Sequence, residues 1–400
     1  SRVGSHFLAR VIEAVGGEAA PDATPRTLLE PIMAMLAELA PEMASDPPER
    51  LNIARLPSLR SVVQLGPNPR AGAMSFDAVM ARGGRTMRAR LDAIGAGLRP
   101  DDAINIQFTS GTTGAPKGAT LSHVNIVNNG RFVVGAQNLT ERDRLCIPVP
   151  LYHCFGMVMG SLGCVTTGAA MIFPSEGFDA DSCLRALADE RCTAVYGVPT
   201  MFVGMLQHPE IKDFDLGALR TGIMAGAPCP IEVMKQCVTD MNLTDITIAY
   251  GMTETSPVSF QTSASDPLER RVSTVGRVHP HVECKIIDEQ GATVAPGVQG
   301  ELCTRGYSVM KGYWDEPDLS AQAIDANGWM HSGDLAVIDA EGYGNITGRV
   351  KDMIVRGGEN VYPAEVENYL FRHPAVREVQ VFGVPDEKFG EEVCAWIVLA

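Results

Sequence analysis

The sequence predicts a layered α/β fold: a large region containing a β-rich portion, followed by a small α+β unit. Three observations carry this. Short apolar runs of strand length alternate with helical candidates between about 101 and 250. The text becomes strand-like and turn-rich from about 282, and a strand, helix, strand, strand succession follows residue 350. Strands separated by helices favour substantial parallel sheet, with the chemistry on loops beyond the strand ends.

The elements follow in order. Residues 27–39 place Leu28, Ile32, Met35, Leu36 and Leu39 at helical spacing, with Pro41 as a stop, either as a core-packing helix or as a docking helix for further chain. Residues 60–66 read as a short strand and turn. In 101–108, Ile104, Ile106 and Phe108 alternate with polar positions before a run dense in Gly, Thr and Ser, as in a strand delivering a loop. Residues 125–134 suit a helix, although Gly130 weakens it. Strands are expected at 145–149, 170–173, 194–198, 221–224 and 246–250, and helices at 155–162, 180–188 and 231–238. The large domain is expected to span 1–349, with 282–348 as its β-rich portion. The small domain is expected at 350–400, with strands at 352–355, 377–381 and 393–399 around a helix at 363–371. Opening at Ser1 and closing on a strand-like run, the chain reads as truncated at both ends.

Composition narrows the function. The 33 basic against 48 acidic residues give a formal charge of -15, with no Lys/Arg block to offset it. Such a surface disfavours nucleic acid as a partner, whereas a small polyanion can still be held by local backbone donors and a cation. Ten scattered cysteines form no CxxC and no compact zinc spacing, which points to reduced structural thiols in a cytoplasmic setting, with stray reactive or disulfide-bonded cysteines as the alternative. Every apolar stretch is interrupted before the roughly 20 residues that a membrane helix needs.

The densest chemical signal lies at 108–118. Gly111, Gly114 and Gly118 permit close backbone approach; Thr109, Ser110, Thr112 and Thr113 add hydroxyls; Lys117 adds a mobile positive charge. Together they match the needs of a polyphosphate. The spacing is not that of the usual P-loop, because Pro116 precedes Lys117 and Gly118 follows it, so a flexible glycine-rich turn is the alternative.

Taken with Tyr250, Gly251, Met252, Thr253 and Glu254, then Ser332, Gly333 and Asp334, then Gly348, Arg349, Val350, Lys351 and Asp352, that loop resembles the signature motifs of the adenylate-forming superfamily, in the expected order. The resemblance spans roughly residues 60 to 400 and is nearest to medium-chain fatty-acyl-CoA synthetases. It implies a large adenylate-forming domain with a mobile C-terminal domain. It also implies ATP and Mg²⁺ as cofactors, coenzyme A as cosubstrate and a fatty acid as substrate.

The resemblance distributes roles as follows. Tyr250 stacks on adenine, Thr253 contacts the α-phosphate and Glu254 binds Mg²⁺, against the alternative of a capping Thr/Glu pair. Asp334 accepts from the ribose hydroxyls and Arg349 complements phosphate or ribose oxygens; read alone, both could be surface groups. Gly226, Ala227 and Pro228 are similar to the adenine-side loop, or form an ordinary strand-to-helix turn. Residues 150–156 look like the segment beside the carboxylate substrate. There His153 orients that carboxylate or is merely structural, with Met157, Val158, Met252 and Val258 around the acyl group. Lys351 falls at the hinge, and Gly357, Gly358 and Glu359 lie where the thiol tunnel forms. The family's adenylation lysine sits in a Pro- and Gly-rich setting beyond residue 400, and Lys388 does not replace it. Monomer and homodimer both remain open.

Overall fold

The computed structural model describes residues 33–399, apart from 66–67, 110–115, 357–358, 371–372, 374 and 387–389. Two compact units divide between Arg99 and Pro100. In the first, residues 33–39 are helical, β1 (Val62–Gln64) and β2 (Ala73–Ser75) pair in parallel, and a small core gathers Met33, Leu36, Met43, Leu51 and Ile53. A helix over Arg85–Gly97 follows.

The second unit is built around a seven-stranded sheet. Its strands are β5 (Arg144–Cys146), β6 (Ala170–Ile172), β7 (Ala194–Gly197), β8 (Thr221–Ala225), β9 (Asp245–Gly251), β10 (Val258–Gln261) and β11 (Arg277–Val278). They lie in the order 11-10-9-8-7-5-6, parallel from β5 to β9 and antiparallel through β10 and β11. Alternate residues feed two cores, as the period of a strand requires. Val195, Met224, Ile246 and Ile248 meet the helices Ala180–Asp189, Pro199–Leu206 and Ile231–Asp240 on one face. Ala194, Tyr196, Ile223 and Ala249 meet the helix His123–Ala136 and the π-helical stretch Phe155–Leu162 on the other. The layered α/β expectation holds, including its parallel sheet.

Gly130 proves to be a contact rather than a weakness. A Cβ there would lie 2.8 Å from the Val158 carbonyl oxygen and 3.1 Å from the Gly163 nitrogen, so glycine lets two helical segments touch. At the opposite end of the sheet, buried Asp143 accepts from the Thr193 hydroxyl at 2.7 Å, the Thr140 N–H at 2.8 Å and Arg220 Nη2 at 2.9 Å. Burial opposes its ionisation, but these hydrogen bonds and the Arg220 charge hold its carboxyl below the usual range.

Three smaller sheets complete the unit. Strands β3 (Ala103–Thr109), β4 (Lys117–Ser122) and β14 (Gly312–Tyr313) are antiparallel in the order 14-4-3. The β-rich portion is the antiparallel set β12 (Val282–Ile287), β13 (Gly300–Gly306), β15 (Met330–Ile338) and β16 (Gly344–Arg349). After a turn at 350–352 come β17 (Ile354–Arg356), β18 (Glu359–Val361), the helix Pro363–Leu370, β19 (Val376–Asp386) and β20 (Gly390–Leu399). The ten cysteines are all free, and no helix among the described residues is long and apolar enough to cross a membrane.

Candidate active site

Parallel strands present ligand sites at their carboxyl ends, and β8 and β9 are neighbours. The exposed residues Gly226, Ala227 and Pro228 follow β8, while Tyr250 and Gly251 close β9. Gly226 holds φ +87°, a conformation that favours glycine. Both ends open into a cleft of about 1210 Å³, lined on its other side by Asp334, Gly348, Arg349 and Lys351.

Asp334 and Arg349 are cross-strand partners on β15 and β16. Arg349 Nε donates to Asp334 Oδ1 at 3.1 Å and the Tyr250 hydroxyl donates to Asp334 Oδ2 at 2.6 Å, one donor per oxygen. Each oxygen therefore retains a lone pair for a further donor such as a ribose hydroxyl. Burial raises the Asp334 carboxyl above its ordinary pKa, partly opposed by the Tyr250 hydrogen bond and the Arg349 charge. Burial and the Asp334 charge push the Tyr250 phenol up as well. The turn before Asp334 is braced: Ser332 Oγ accepts from the Asp334 N–H at 3.0 Å and donates to the Leu302 carbonyl at 2.6 Å.

The glycine-rich segment lies in sequence between the antiparallel strands β3 and β4. Thr109 on β3 and Lys117 on β4 are register partners, so 110–116 connects them. Ser110, Gly111, Thr112, Thr113 and Gly114 lie outside the described residues. Gly118 serves packing: a Cβ there would lie 2.8 Å from Ile106 Cγ2, and the Trp314 N–H donates to its carbonyl at 2.7 Å.

Tyr313, absent from the sequence expectations, joins this strand pair to Glu254. Its hydroxyl donates to Glu254 Oε1 at 2.8 Å, and Lys117 Nζ stands 5.2 Å from its ring centroid. Glu254 is buried, and the Met310 N–H donates to its carbonyl at 2.9 Å. Among the described residues, its second carboxylate oxygen accepts no hydrogen bond. The capping function in this turn belongs to Thr255, whose Oγ1 accepts from the Met252 N–H at 3.2 Å. Glu254, a buried residue with one carboxylate oxygen left without a hydrogen bond among the described residues, thus offers an oxygen donor that fits a hard divalent cation. Gly251 is required by crowding, since a Cβ would lie 1.8 Å from the Pro257 carbonyl oxygen.

His153 is exposed in the turn before the π-helical stretch. Its Nδ1 accepts from the Phe155 N–H at 3.1 Å, which leaves the proton of the neutral ring on Nε2, and partial desolvation lowers its pKa. This segment is tied to β3 by Gln107, which donates to the Tyr152 carbonyl and accepts from the Cys154 thiol at 3.5 Å. Val158 is a core side chain beside Cys154, Met310 and Tyr313, with Met157 and Met252 half-buried against the same cluster; Val258 sits in the core with Phe155 and Met159. Thr253 is buried. Lys351 lies in the turn after β16, Gly357 and Gly358 lie outside the described residues, and the Glu359 backbone opens β18.

A family model described as AMP-binding enzyme matches residues 33–314, and one described as AMP-binding enzyme C-terminal domain matches 365–400. The chain belongs to the AMP-binding enzyme family. An acyl-CoA ligase of Aspergillus fumigatus, sidI, is 49% identical over 334 residues, covering 82% of this chain and 57% of the relative. The mitochondrial medium-chain acyl-CoA ligase ACSF2 of Danio rerio is 46% identical over 369 residues, covering 91% and 61%. Among solved structures, ATP-bound MatB from Rhodopseudomonas palustris aligns at a TM-score of 0.70 and 34% identity, covering 76% of this chain and 59% of that one. The family member described here spans less than two thirds of the length of each of these three.

Proposed function

We propose that the protein is an ATP-dependent acid–thiol ligase, joining a medium-chain fatty acid to coenzyme A with release of AMP and pyrophosphate. The observation that carries this is the convergence on one cleft of Gly226, Ala227, Tyr250, Asp334 and Arg349; Lys117 and Glu254, joined to each other through Tyr313, lie outside that lining. The printed names of the two ligase relatives and the ATP-bound neighbour support the reading.

In the first step the substrate carboxylate attacks the α-phosphorus of ATP, forming acyl-AMP and expelling pyrophosphate. The acid is already ionised near neutral pH, so no general base is needed, and the protein's task is alignment and charge stabilisation. Gly226 and Ala227 offer flat backbone on the adenine side while Tyr250 stacks. Asp334 and Arg349 take the ribose side, and Thr253 contacts the α-phosphate. The residues Thr109, Ser110, Gly111, Thr112, Thr113 and Gly114, with Lys117, hold the remaining phosphates. Glu254 is the residue that would hold Mg²⁺, which when bound neutralises phosphate oxygens. His153 donates from Nε2 toward the substrate carboxylate, and Met157 and Met252, with Val158 and Val258 behind them, shape the acyl pocket. In the second step the coenzyme A thiol attacks the acyl carbonyl carbon and AMP leaves. We assign the hinge to Lys351, between a large part ending at 349 and a small part from 350, with Gly357, Gly358 and Glu359 on the thiol path. Ten free thiols support a reducing, cytoplasmic compartment.

The test is pyrophosphate release with mass analysis of products on the full-length protein, across fatty and aromatic acids, with and without coenzyme A. Medium-chain acyl-CoA and AMP are expected, and Glu254→Ala is expected to suppress adenylate formation while the protein stays folded. Nucleotide binding without pyrophosphate release from any acid overturns the reading.

A further inference from the structure

On β13, Glu301 and Cys303 are two residues apart and so share a face, and Cys303 is the register partner of His331 on β15. His331 Nδ1 lies 3.1 Å from Glu301 Oε2 and 3.7 Å from Cys303 Sγ, and the three donor atoms lie within 4.8 Å of one another. Hydrogen bonding can serve the His331–Glu301 pair but leaves the Cys303 thiol with a weak contact at best. If Nδ1 carries the proton it can donate to the carboxylate, but it then offers no lone pair to the Cys303 thiol. If Nδ1 is bare it can accept from the thiol, but its lone pair then faces the carboxylate oxygen.

A cation in place of those protons satisfies all three groups. Zinc bonds of about 2.3 Å to sulfur and about 2.0–2.1 Å to nitrogen and oxygen, arranged tetrahedrally, separate nitrogen from oxygen by about 3.4 Å and nitrogen from sulfur by about 3.6 Å. The observed 3.1 and 3.7 Å bracket those spacings closely enough for small rotamer changes to close the site.

We propose that Glu301 Oε2, Cys303 Sγ and His331 Nδ1 bind one zinc-class divalent ion, with water in the fourth position. Ligation forms a metal–sulfur bond and releases the thiol proton to solvent. Mixed sulfur, nitrogen and oxygen donors select Zn²⁺ or Co²⁺ over Mg²⁺, so this site is chemically distinct from the one assigned to Glu254. Cys303 is fully buried, whereas the side chains of His331 and Glu301 are 34% and 24% exposed, leaving an entry path from solvent. Outer contacts already orient a ligand: Glu301 Oε1 accepts from the Gly333 N–H at 3.1 Å. Because Gly333 directly precedes Asp334, an ion here braces the turn that carries the ribose-side carboxylate.

The test titrates chelator-stripped full-length protein with Co²⁺. One equivalent is expected to bind with a sulfur-to-cobalt charge-transfer band that Mg²⁺ does not produce and Zn²⁺ bleaches. Cys303→Ser and His331→Gln are each expected to abolish the band, Glu301→Gln to weaken binding at least about tenfold, and Glu254→Ala to retain it. Circular dichroism and melting establish that each variant is folded; should Cys303→Ser fail to fold, the more exposed His331→Gln decides. Absence of a stoichiometric band in the parent, or an undiminished band in folded His331→Gln, overturns the proposal.

Discussion

Replacing Tyr250 with Phe keeps the aromatic ring and removes one hydroxyl, which isolates its bond to Asp334. In the parent, each Asp334 oxygen has one donor, Tyr250 at 2.6 Å and Arg349 at 3.1 Å. A hydrogen bond to a charged group contributes about 1.5–3 kcal/mol, and Asp334 is buried enough for that range to apply. Losing it disfavours the carboxylate by roughly 10- to 150-fold in the ionisation constant. The sign is fixed by the parent: burial has already raised this carboxyl, and the Tyr250 hydrogen bond is one of the effects restraining it. In the proposed ribose role the ionised carboxylate is the stronger acceptor, so Mg·ATP affinity is expected to fall as pH drops through the raised pKa. In Tyr250→Phe that acid limb moves to higher pH, while affinity on the alkaline side changes least. The unliganded fold obeys the converse rule, because a raised carboxyl stabilises the folded state only below its pKa and that stability is lost as pH rises through it. Calorimetric titration of Mg·ATP against pH, in the parent, Tyr250→Phe and Asp334→Asn, is the assay. Superimposable acid limbs for parent and Tyr250→Phe, a shift to lower pH, or an intact limb in Asp334→Asn refutes the reasoning.

Tyr313→Phe removes the hydroxyl held by Glu254 and keeps the ring beneath Lys117; pyrophosphate release is expected to slow about 10- to 100-fold with melting little changed, and a parental rate contradicts it. Gly251→Ala places a Cβ against the Pro257 carbonyl, so a loss of about 1–3 kcal/mol is expected from the urea midpoint. Asp143→Asn is expected to cost about 1–3 kcal/mol at neutral pH. Because the parent's Asp143 pKa is lowered, its stabilisation is present above the unfolded value and lost as pH falls through the folded one; parent and variant therefore converge in acid urea melts, and a constant gap rejects the assignment.

The strand and helix alternation was legible because each central strand is a short apolar run that splits its residues between two cores, as at Val195 and Tyr196. Gly226 and Tyr250, expected on the adenine side from the resemblance, sit after β8 and near the end of β9 and line the same cleft. The helix Arg85–Gly97 does carry apolar residues at helical spacing, Met87, Leu91 and Ile94, but all three side chains are exposed, so this stripe marks no core. Gly130 was misread locally, because its value lies in a backbone approach from Val158 and Gly163 that no window around residue 130 contains. Tyr313 and Gln107 were invisible for the same reason: Tyr313 meets Glu254 across 59 positions, and Gln107 meets Tyr152 across 45. Periodicity registers burial within one element, whereas these contacts arise only when separate strands are assembled.

The register pairing of Asp334 with Arg349 fixes which part of the cleft is built before the chain turns. Both groups ride on one hairpin, and the chain turns only after it, at 350–352. With the proposed pivot at Lys351, reorientation of the small part would leave the register of that pair intact while changing the cleft wall formed by Lys351 and the residues after it. On the proposed reading, the walls built by β8, β9 and this hairpin stay assembled through the cycle, and what is exchanged is the wall that begins at Lys351 and Asp352.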